Sequence, residues 1–139
     1  MNLKPYASTL LTVCGIILIG MGLYFALIRT RLLPEDMRYI GLSSEQLQAT
    51  APGLLNWLDK VFWVMGGYVF TTGLLTCYVA QTALRERQRG VFSVVAIAGL
   101  SSLGLMVIIN FLIDSDFKWI LFVVAALWLS ALGLFLRQK

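Results

Sequence analysis

The sequence predicts an all-α integral membrane protein, a four-helix bundle, and three observations lead to that fold class. Four stretches contain no charged residue, each is about 18 to 24 residues long, and together they make up most of the 139-residue chain. A helix of about 20 residues crosses a hydrocarbon core of about 30 Å. The mean hydropathy of +0.83 lies outside the range of soluble domains. The four stretches are Tyr6–Ile28, Val61–Leu84, Val91–Ile113 and Trp119–Leu136.

We expect one membrane domain over residues 1–139, with spans at about 6–28, 61–84, 91–113 and 119–136 and one long loop at 29–60. The first stretch could be read as a secretory signal, because Lys4 precedes it and the apolar part of such a signal follows a basic residue. It is longer than the apolar region of such a signal, which has about 7–15 residues. We therefore expect a retained helix.

The distribution of lysine and arginine predicts the orientation of the spans. The side that carries loop 29–60 has five basic residues and six acids, whereas the other side has six basic residues and one acid, Glu86. Short loops dense in arginine stay in the cytoplasm. We therefore expect turn 85–90 and both termini on the cytoplasmic side of the inner membrane. The net charge of +4 then reflects topology, and we expect no nucleic-acid partner. The six basic residues are Lys4, Arg85, Arg87, Arg89, Arg137 and Lys139.

Residues 29–60, hereafter the outer loop, are more than a simple connection. Pro34 followed by two acids is typical of a helix start, and Gly41 ends that helix. Ser43 and Gln46 form a capping-box pattern, which starts a second short helix that ends before Pro52. Apolar side chains accompany both helices, so we expect them to lie on the membrane surface and cap the bundle. The alternative is a docking surface for a partner.

Each span carries a stripe of small or weakly polar residues at helical spacing. Such residues let helix backbones approach, which stabilises helix contacts in lipid. We therefore predict that all four stripes face inward in a compact bundle. A pore would need polar groups through the whole depth of the membrane. The stripes are Ser8, Thr12, Gly15, Ile19, Gly22 and Ala26; Gly66, Gly73 and Cys77; Gly99, Ser102 and Met106; and Ala126, Ser130 and Gly133.

Four polar residues fall at the loop-side ends of these stripes: Arg29, Asp59, Asn110 and Asp114. Ionisable groups that face a bundle interior indicate a site for a ligand or ion. The alternative is a cap of ion pairs, because charges near the interface can reach water and pair at little cost. We predict that Arg29 pairs with Asp59 or Asp114, and we take the four residues as the candidate binding site.

The absence of several residue types and motifs limits the chemistry. The chain has no histidine, which excludes imidazole catalysis, haem ligation by histidine and most zinc or copper sites. No nucleophile elbow or phosphate-binding loop is present. The two cysteines, Cys14 and Cys77, lie inside spans, where we expect packing rather than a disulfide. We expect no catalytic residue, no metal and no cofactor.

The glycine pattern and the outer loop carry a family resemblance. A first span with Gly15, Gly20 and Gly22 leads into residues 33–42 (LPEDMRYIGL), and the second span contains Gly66-Gly67 and Gly73-Leu74-Leu75. In these features the chain resembles the small four-helix bacterial membrane proteins grouped as DoxX-like. The resemblance covers the whole chain and implies a four-span inner-membrane protein. It implies no particular reaction, and no catalytic residue carries over.

Two classes of function fit this sequence. The first is a non-enzymatic accessory or scaffold component of a membrane complex, which docks a protein partner or a second copy of itself. The second is a small transporter or a lipid- or solute-binding membrane protein that uses the outer polar cluster. We favour the first class, because polar groups at one end only make a poor translocation path. In both classes the lipid bilayer is the surrounding medium.

Reporter fusions test the predicted orientation. A reporter that works only in the cytoplasm should be active after residue 139 and inactive within residues 29–60, because the arginine-rich turn resists translocation. Arg87→Cys should be labelled in inverted vesicles by reagents that do not cross the bilayer. An outward-facing C-terminus, or protection of the introduced cysteine, would contradict this orientation.

Overall fold

The computed structural model describes residues 4–137, so Lys139, part of the orientation argument, lies outside the described residues. The chain forms seven α-helices in this range, and two of the membrane-length helices contain a π-helical turn. They are α1 (Lys4–Leu23) continued by a π turn (Tyr24–Ile28), α2 (Pro34–Ile40), α3 (Ser44–Thr50), α4 (Leu54–Gln81), α5 (Val91–Gly99) joined through a π turn (Leu100–Gly104) to α6 (Leu105–Leu112), and α7 (Lys118–Arg137).

Four helices are long and apolar enough to cross a membrane: Tyr6–Ile28, Leu54–Gln81, Val91–Leu112 and Lys118–Arg137. We call them spans one to four. No strand occurs within residues 4–137, so the predicted all-α bundle is confirmed. Span two starts at Leu54 rather than Val61. Its helix includes the charged residues Asp59 and Lys60, whose side chains both have partners within the protein. Asp59 pairs with Arg31 at 2.9 Å, and Lys60 Nζ lies 3.8 Å from the centre of the Trp63 ring.

The two short helices of the outer loop form where the sequence predicts them. Pro34 begins α2, and Gly41 ends it with a φ of 73°, a left-handed conformation that glycine adopts without strain. Ser43 caps α3: its hydroxyl accepts from Gln46 N–H at 3.1 Å, and the Gln46 side chain accepts from Ser43 N–H at 2.8 Å. Both halves of the predicted capping box are therefore present.

Span one is the central helix of the bundle. It packs against span two along one face and against span four along another, while span three packs on span four. The principal contacts therefore arrange the spans in the order two, one, four, three. Cys14 and Cys77 are both free and lie on different faces: the Cys14 thiol faces the Val124 carbonyl of span four, and the Cys77 thiol faces the Thr12 carbonyl of span one.

Spans one and two meet along what we call the glycine seam. A Cβ added to Gly22 would lie 2.7 Å from the Gly66 carbonyl oxygen, and one added to Gly66 would lie 2.7 Å from that of Gly22. Gly15 and Gly73 meet in the same reciprocal way, at 2.9 and 2.6 Å. Backbones this close leave no space for a side chain on either helix, which explains why glycine occupies all four positions.

A hydrogen bond continues the glycine seam toward the end of the bundle that carries turn 85–90, hereafter the inner end. The buried Ser8 hydroxyl donates to the Ala80 carbonyl at 2.5 Å. The seam positions recur every seven residues in both spans and run in opposite directions, so one face of each helix stays in contact over several turns. They are Ser8, Gly15 and Gly22 in span one, and Ala80, Gly73 and Gly66 in span two.

Span four contradicts the prediction that every small-residue stripe faces inward. Ala126, Ser130 and Gly133 are exposed, and the helix buries a face of mostly larger side chains instead. The reason is complementary size at the contact with span three. Trp128 packs over Gly99, where an added Cβ would lie 2.7 Å from indole Cδ1, and the indole N–H donates to the Val95 carbonyl at 3.2 Å. The buried face is Leu121, Val124, Trp128, Ala131, Leu132 and Phe135.

Span three contains a π-helical turn at Leu100–Gly104, near the middle of the helix. π turns leave carbonyl groups with altered partners, and hydroxyl side chains can satisfy them in lipid. The hydroxyls of Ser102 and Ser101 both donate to the Ala98 carbonyl, at 2.5 and 3.3 Å. The polar groups of this turn are thus bonded within their own span.

Two glycines that lie two residues apart in span one test the glycine seam, because Gly22 is in the seam and Gly20 is not. Gly22→Leu should lower the free energy of unfolding by about 1–3 kcal/mol or more, because the side chain must separate two backbones in contact. Gly20→Leu should change it by less than about 0.5 kcal/mol, since nothing lies within 4 Å of an added Cβ there. Thermal unfolding in mild detergent measures both, and equal effects of the two variants would show that the buried face is wrongly assigned.

Candidate functional site at the outer end

Arg29 is enclosed by protein at the end of the bundle that carries the outer loop. Its guanidinium donates to Asp36 at 2.8 Å, and only 7% of its side chain is exposed. The guanidinium carbon lies 3.7 Å from the centre of the Phe62 ring and 5.6 Å from that of Phe25, a geometry that favours cation–π attraction. Arg29 is therefore fixed by one carboxylate and two aromatic rings.

The predicted pairing of Arg29 with Asp59 or Asp114 is wrong, because Arg29 pairs with Asp36. The seven-residue spacing of the glycine seam leads from Gly22 to Arg29 and from Gly66 to Asp59, which would place the two charges opposite each other. However, span one ends in the π turn Tyr24–Ile28, where Arg29 N–H donates to the Tyr24 carbonyl at 2.8 Å. A π turn takes in one more residue than an α turn, so it rotates the residues that follow.

Asp36 has two functions in this arrangement. The same carboxylate oxygen that binds Arg29 also accepts from Leu33 N–H at 2.8 Å, at the start of α2. That bond satisfies a backbone donor that the first turn of a helix leaves free. Asp36 therefore both caps α2 and holds the loop against the end of span one. Sequence reasoning identified it only as a first-turn acid, although a carboxylate three residues after the N-cap is the signal for such a cap.

Two further ion pairs connect the outer loop to the rest of the bundle. Arg31 Nε binds Asp59 of span two at 2.9 Å, and Arg38 of α2 binds Asp116, between spans three and four, at 2.9 Å. About half or more of the side chain of Arg31, Arg38 and Asp116 is exposed, so each pair adds little stability in water. Their positions nevertheless hold the loop across the ends of spans two to four.

Asn110 and Asp114 bond locally. The Asn110 amide donates to the Met106 carbonyl of its own helix at 2.9 Å. Asp114 has a left-handed φ of 51° and ends span three in a Schellman motif, in which Ser115 N–H donates to the Asn110 carbonyl at 2.9 Å. Its carboxylate binds the Lys118 ammonium. No two of the four candidate residues therefore bond to each other: their side chains pair with Asp36, Arg31, Met106 and Lys118 instead.

The Lys118 hydrogen bond, and then its charge, lower the pKa of the Asp114 carboxyl. A carboxyl with a lowered pKa in the folded protein stabilises the fold above its pKa in the unfolded chain. This contribution is lost as the pH falls through the folded value. Because Asp114 is exposed, water screens the pair and the contribution is small.

Glu35 is a buried carboxyl that sequence reasoning missed. Its residue is 2% exposed, as is Ser115, whose hydroxyl lies 3.4 Å from Glu35 Oε1. The Ser115 oxygen also accepts from Phe117 N–H at 3.2 Å, so this contact joins α2 to the turn between spans three and four. The sequence contains no signal for it, because the burial of Glu35 depends on how α2 is oriented against this turn.

A cleft of about 170 Å³ lies between the outer loop and the span ends. Its walls come from residues just before and within α2 and from the outer ends of spans two and three, and they are mostly apolar. The lining residues are Arg31, Leu32, Asp36, Tyr39, Ile40, Leu58, Phe62 and Ile113. A second cavity, of about 50 Å³ and lined by apolar or small side chains, lies between spans three and four beside Gly99 and Trp128.

The fold and the outer end define a multi-pass membrane protein whose four candidate site residues are bonded within the protein. Within residues 4–137, no group of three histidine, cysteine or acidic side chains is placed to hold a metal ion. Comparison with family models, curated proteins and solved structures finds no match.

Two double-mutant cycles test the ion pair at Arg29. Arg29→Ala and Asp36→Asn should be non-additive, with a coupling of about 0.5–3 kcal/mol, because the two side chains bind each other where little water reaches. Arg29→Ala and Asp114→Asn should be additive, since Asp114 binds Lys118. Unfolding of the single and double variants in mild detergent measures both cycles. Additivity in the first cycle, or coupling in the second, would contradict the pairing described here.

Proposed function

We propose that this chain is a non-enzymatic accessory or scaffold component of a membrane complex, and that the exposed stripe of span four is its docking face. The observation that carries this proposal is the position of Ala126, Ser130 and Gly133. They have the spacing and size of a helix-contact stripe, yet no helix of the described chain covers them. In lipid, small residues at helical spacing favour a second helix, because its backbone can approach closely.

The exposed serine in this stripe is compatible with helix docking. The Ser130 hydroxyl donates to the Ala126 carbonyl at 2.7 Å, so it needs no other partner to remain in the membrane. The stripe therefore presents small side chains without an unsatisfied polar group. An approaching helix gains van der Waals contact there, because small side chains let its backbone come close.

Span two presents a second exposed feature that supports a protein partner. Tyr68 is 72% exposed and lies about 12 Å along the helix from Lys60. Its phenolic hydroxyl has no hydrogen-bond partner among residues 4–137. A polar group in hydrocarbon gains from a partner helix that supplies an acceptor or donor. Gly67, beside it, is open to the surface, since nothing lies within 4 Å of an added Cβ.

We further propose an inner-membrane location, which the resemblance to DoxX-like proteins implies, with both termini and turn 85–90 in the cytoplasm. The excess of basic residues on that side supports this orientation. Arg87 also anchors the turn to the end of span four: its guanidinium donates to the Phe135 carbonyl at 3.0 Å and lies 4.5 Å from the centre of the Phe135 ring. A cation suits the carboxyl end of a helix.

A transporter that uses the outer polar cluster has less support. Arg29, Asp59, Asn110 and Asp114 do not bond to one another, and the three charged residues among them are held in ion pairs. The cavity between spans three and four holds about 50 Å³, well below the roughly 300–1,000 Å³ of ligand sites. An accessory role requires neither a path nor a reaction.

Substitution of Ser130 tests the docking face. Ser130→Leu should abolish stoichiometric association with a partner protein or with a second copy, because a bulky side chain keeps helices apart. The free energy of unfolding should change by less than about 0.5 kcal/mol, since the residue is exposed. Purification in mild detergent, mass determination of the complex and cross-linking in membranes measure association.

Ser93→Leu is the matched control, because Ser93 is an exposed serine of span three. It should leave the association of the wild-type chain unchanged. Equal loss of association in both variants would indicate a general effect of the added leucine. A wild-type chain that is monomeric in membranes and without any stoichiometric protein partner would refute the accessory role.

A further inference from the structure

The cleft under the outer loop has the features of a site for part of a lipid molecule. Its volume of about 170 Å³ is smaller than a site for a whole drug-sized ligand, at roughly 300–1,000 Å³. The walls are apolar and come from Leu32, Leu58, Phe62 and Ile113, while Tyr39 and Ile40 of α2 are exposed beside it. A site of this size and lining suits one segment of an acyl chain whose remainder lies in the bilayer.

Arg31 supplies a cationic group at the same cleft. Its Nε binds Asp59 at 2.9 Å, and half of the side chain, 51%, remains exposed. Within residues 4–137 its two terminal nitrogens have no hydrogen-bond partner. A guanidinium offers several donors in one plane, and its free edge fits the oxygens of a phosphate. Arg29, by contrast, is enclosed and bound by Asp36.

We propose that this cleft binds one phospholipid of the surrounding leaflet. The lipid phosphate accepts hydrogen bonds from the terminal nitrogens of Arg31, and the first part of one acyl chain lies against the apolar wall. Asp59 pairs with the guanidinium at Nε and leaves the two terminal nitrogens free to donate to the phosphate. This site is separate from the docking face on span four, and neither proposal depends on the other.

The combination of the two features identifies a phospholipid rather than a free phosphate ion. A free ion would use Arg31 but not the apolar wall. A lipid without phosphate would use the wall but not Arg31. A phospholipid, whose phosphate is linked to its acyl chains through glycerol, gains from both, and the surrounding bilayer supplies it.

Native mass spectrometry of the full chain in mild detergent tests this site. The probes are phosphatidylglycerol and a diacylglycerol with the same acyl chains, each titrated into delipidated protein. We expect one tightly bound phosphatidylglycerol, and we expect Arg31→Gln to weaken it about tenfold, which corresponds to about 1.4 kcal/mol. Binding of the diacylglycerol should not respond to Arg31→Gln. Leu58→Trp, which fills the cleft, should weaken binding of both probes.

Asp59→Asn separates lipid binding from a structural role of the ion pair. It removes the same ion pair as Arg31→Gln but keeps the guanidinium, so phosphatidylglycerol should stay bound. Arg38→Gln, at another outer ion pair, should also leave it bound. Equal loss in Arg31→Gln and Asp59→Asn would overturn the proposal in favour of a structural pair. Equal loss in Arg31→Gln and Arg38→Gln would overturn it in favour of diffuse charge attraction.

Inorganic phosphate distinguishes a site for a phospholipid from a site for a free anion. We expect millimolar phosphate neither to displace phosphatidylglycerol nor to bind the delipidated protein. Binding of phosphate that depends on Arg31 in the absence of lipid would overturn the proposal and identify an ion site.

Discussion

The direct contact between the backbones of spans one and two is the constraint on which the rest of the structure depends. In lipid, apolar side chains on facing helices gain little from meeting each other, so association requires close van der Waals packing. Gly15 against Gly73 and Gly22 against Gly66 provide that packing. The buried hydrogen bond from Ser8 to Ala80 holds the same register at the inner end. With this pair fixed, span one can also pack against span four on another face.

The glycine seam also determines the outer end of the molecule. It brings the end of span one beside Phe62 of span two, and the π turn that follows Leu23 rotates Arg29 onto that ring and toward Asp36. The outer loop then closes over the spans through Asp36, through Arg31 with Asp59, and through Arg38 with Asp116. The cleft with Arg31 in its wall is a result of this closure, since no single element contains it.

Part of the candidate site could be predicted from the sequence. The ends of the small-residue stripes identified Arg29 and Asp59 as residues that matter at the outer end, and both form ion pairs there. Which carboxylate Arg29 meets depends on the direction in which the last turn of span one points its side chains. A π turn changes that direction, and helical spacing in the sequence does not reveal a π turn because it has no fixed sequence signature. Glu35 was missed for a related reason: only the orientation of α2 on the turn after span three distinguishes the buried Glu35 from Asp36.

The sequence by itself determined the number of spans, the all-α fold, the two short helices of the outer loop and the inward-facing glycine stripes of spans one and two. These follow from local rules: helix length against bilayer thickness, capping residues, and the absence of a side chain where backbones meet. Only the tertiary structure decided which face span four buries. Trp128 fills the space above Gly99, so a small residue on one helix was enough for that contact. The small residues of span four therefore lie on the surface. Whether two helices pack depends on the combined shape of both contacting faces, whereas a stripe in the sequence shows the shape of one face only.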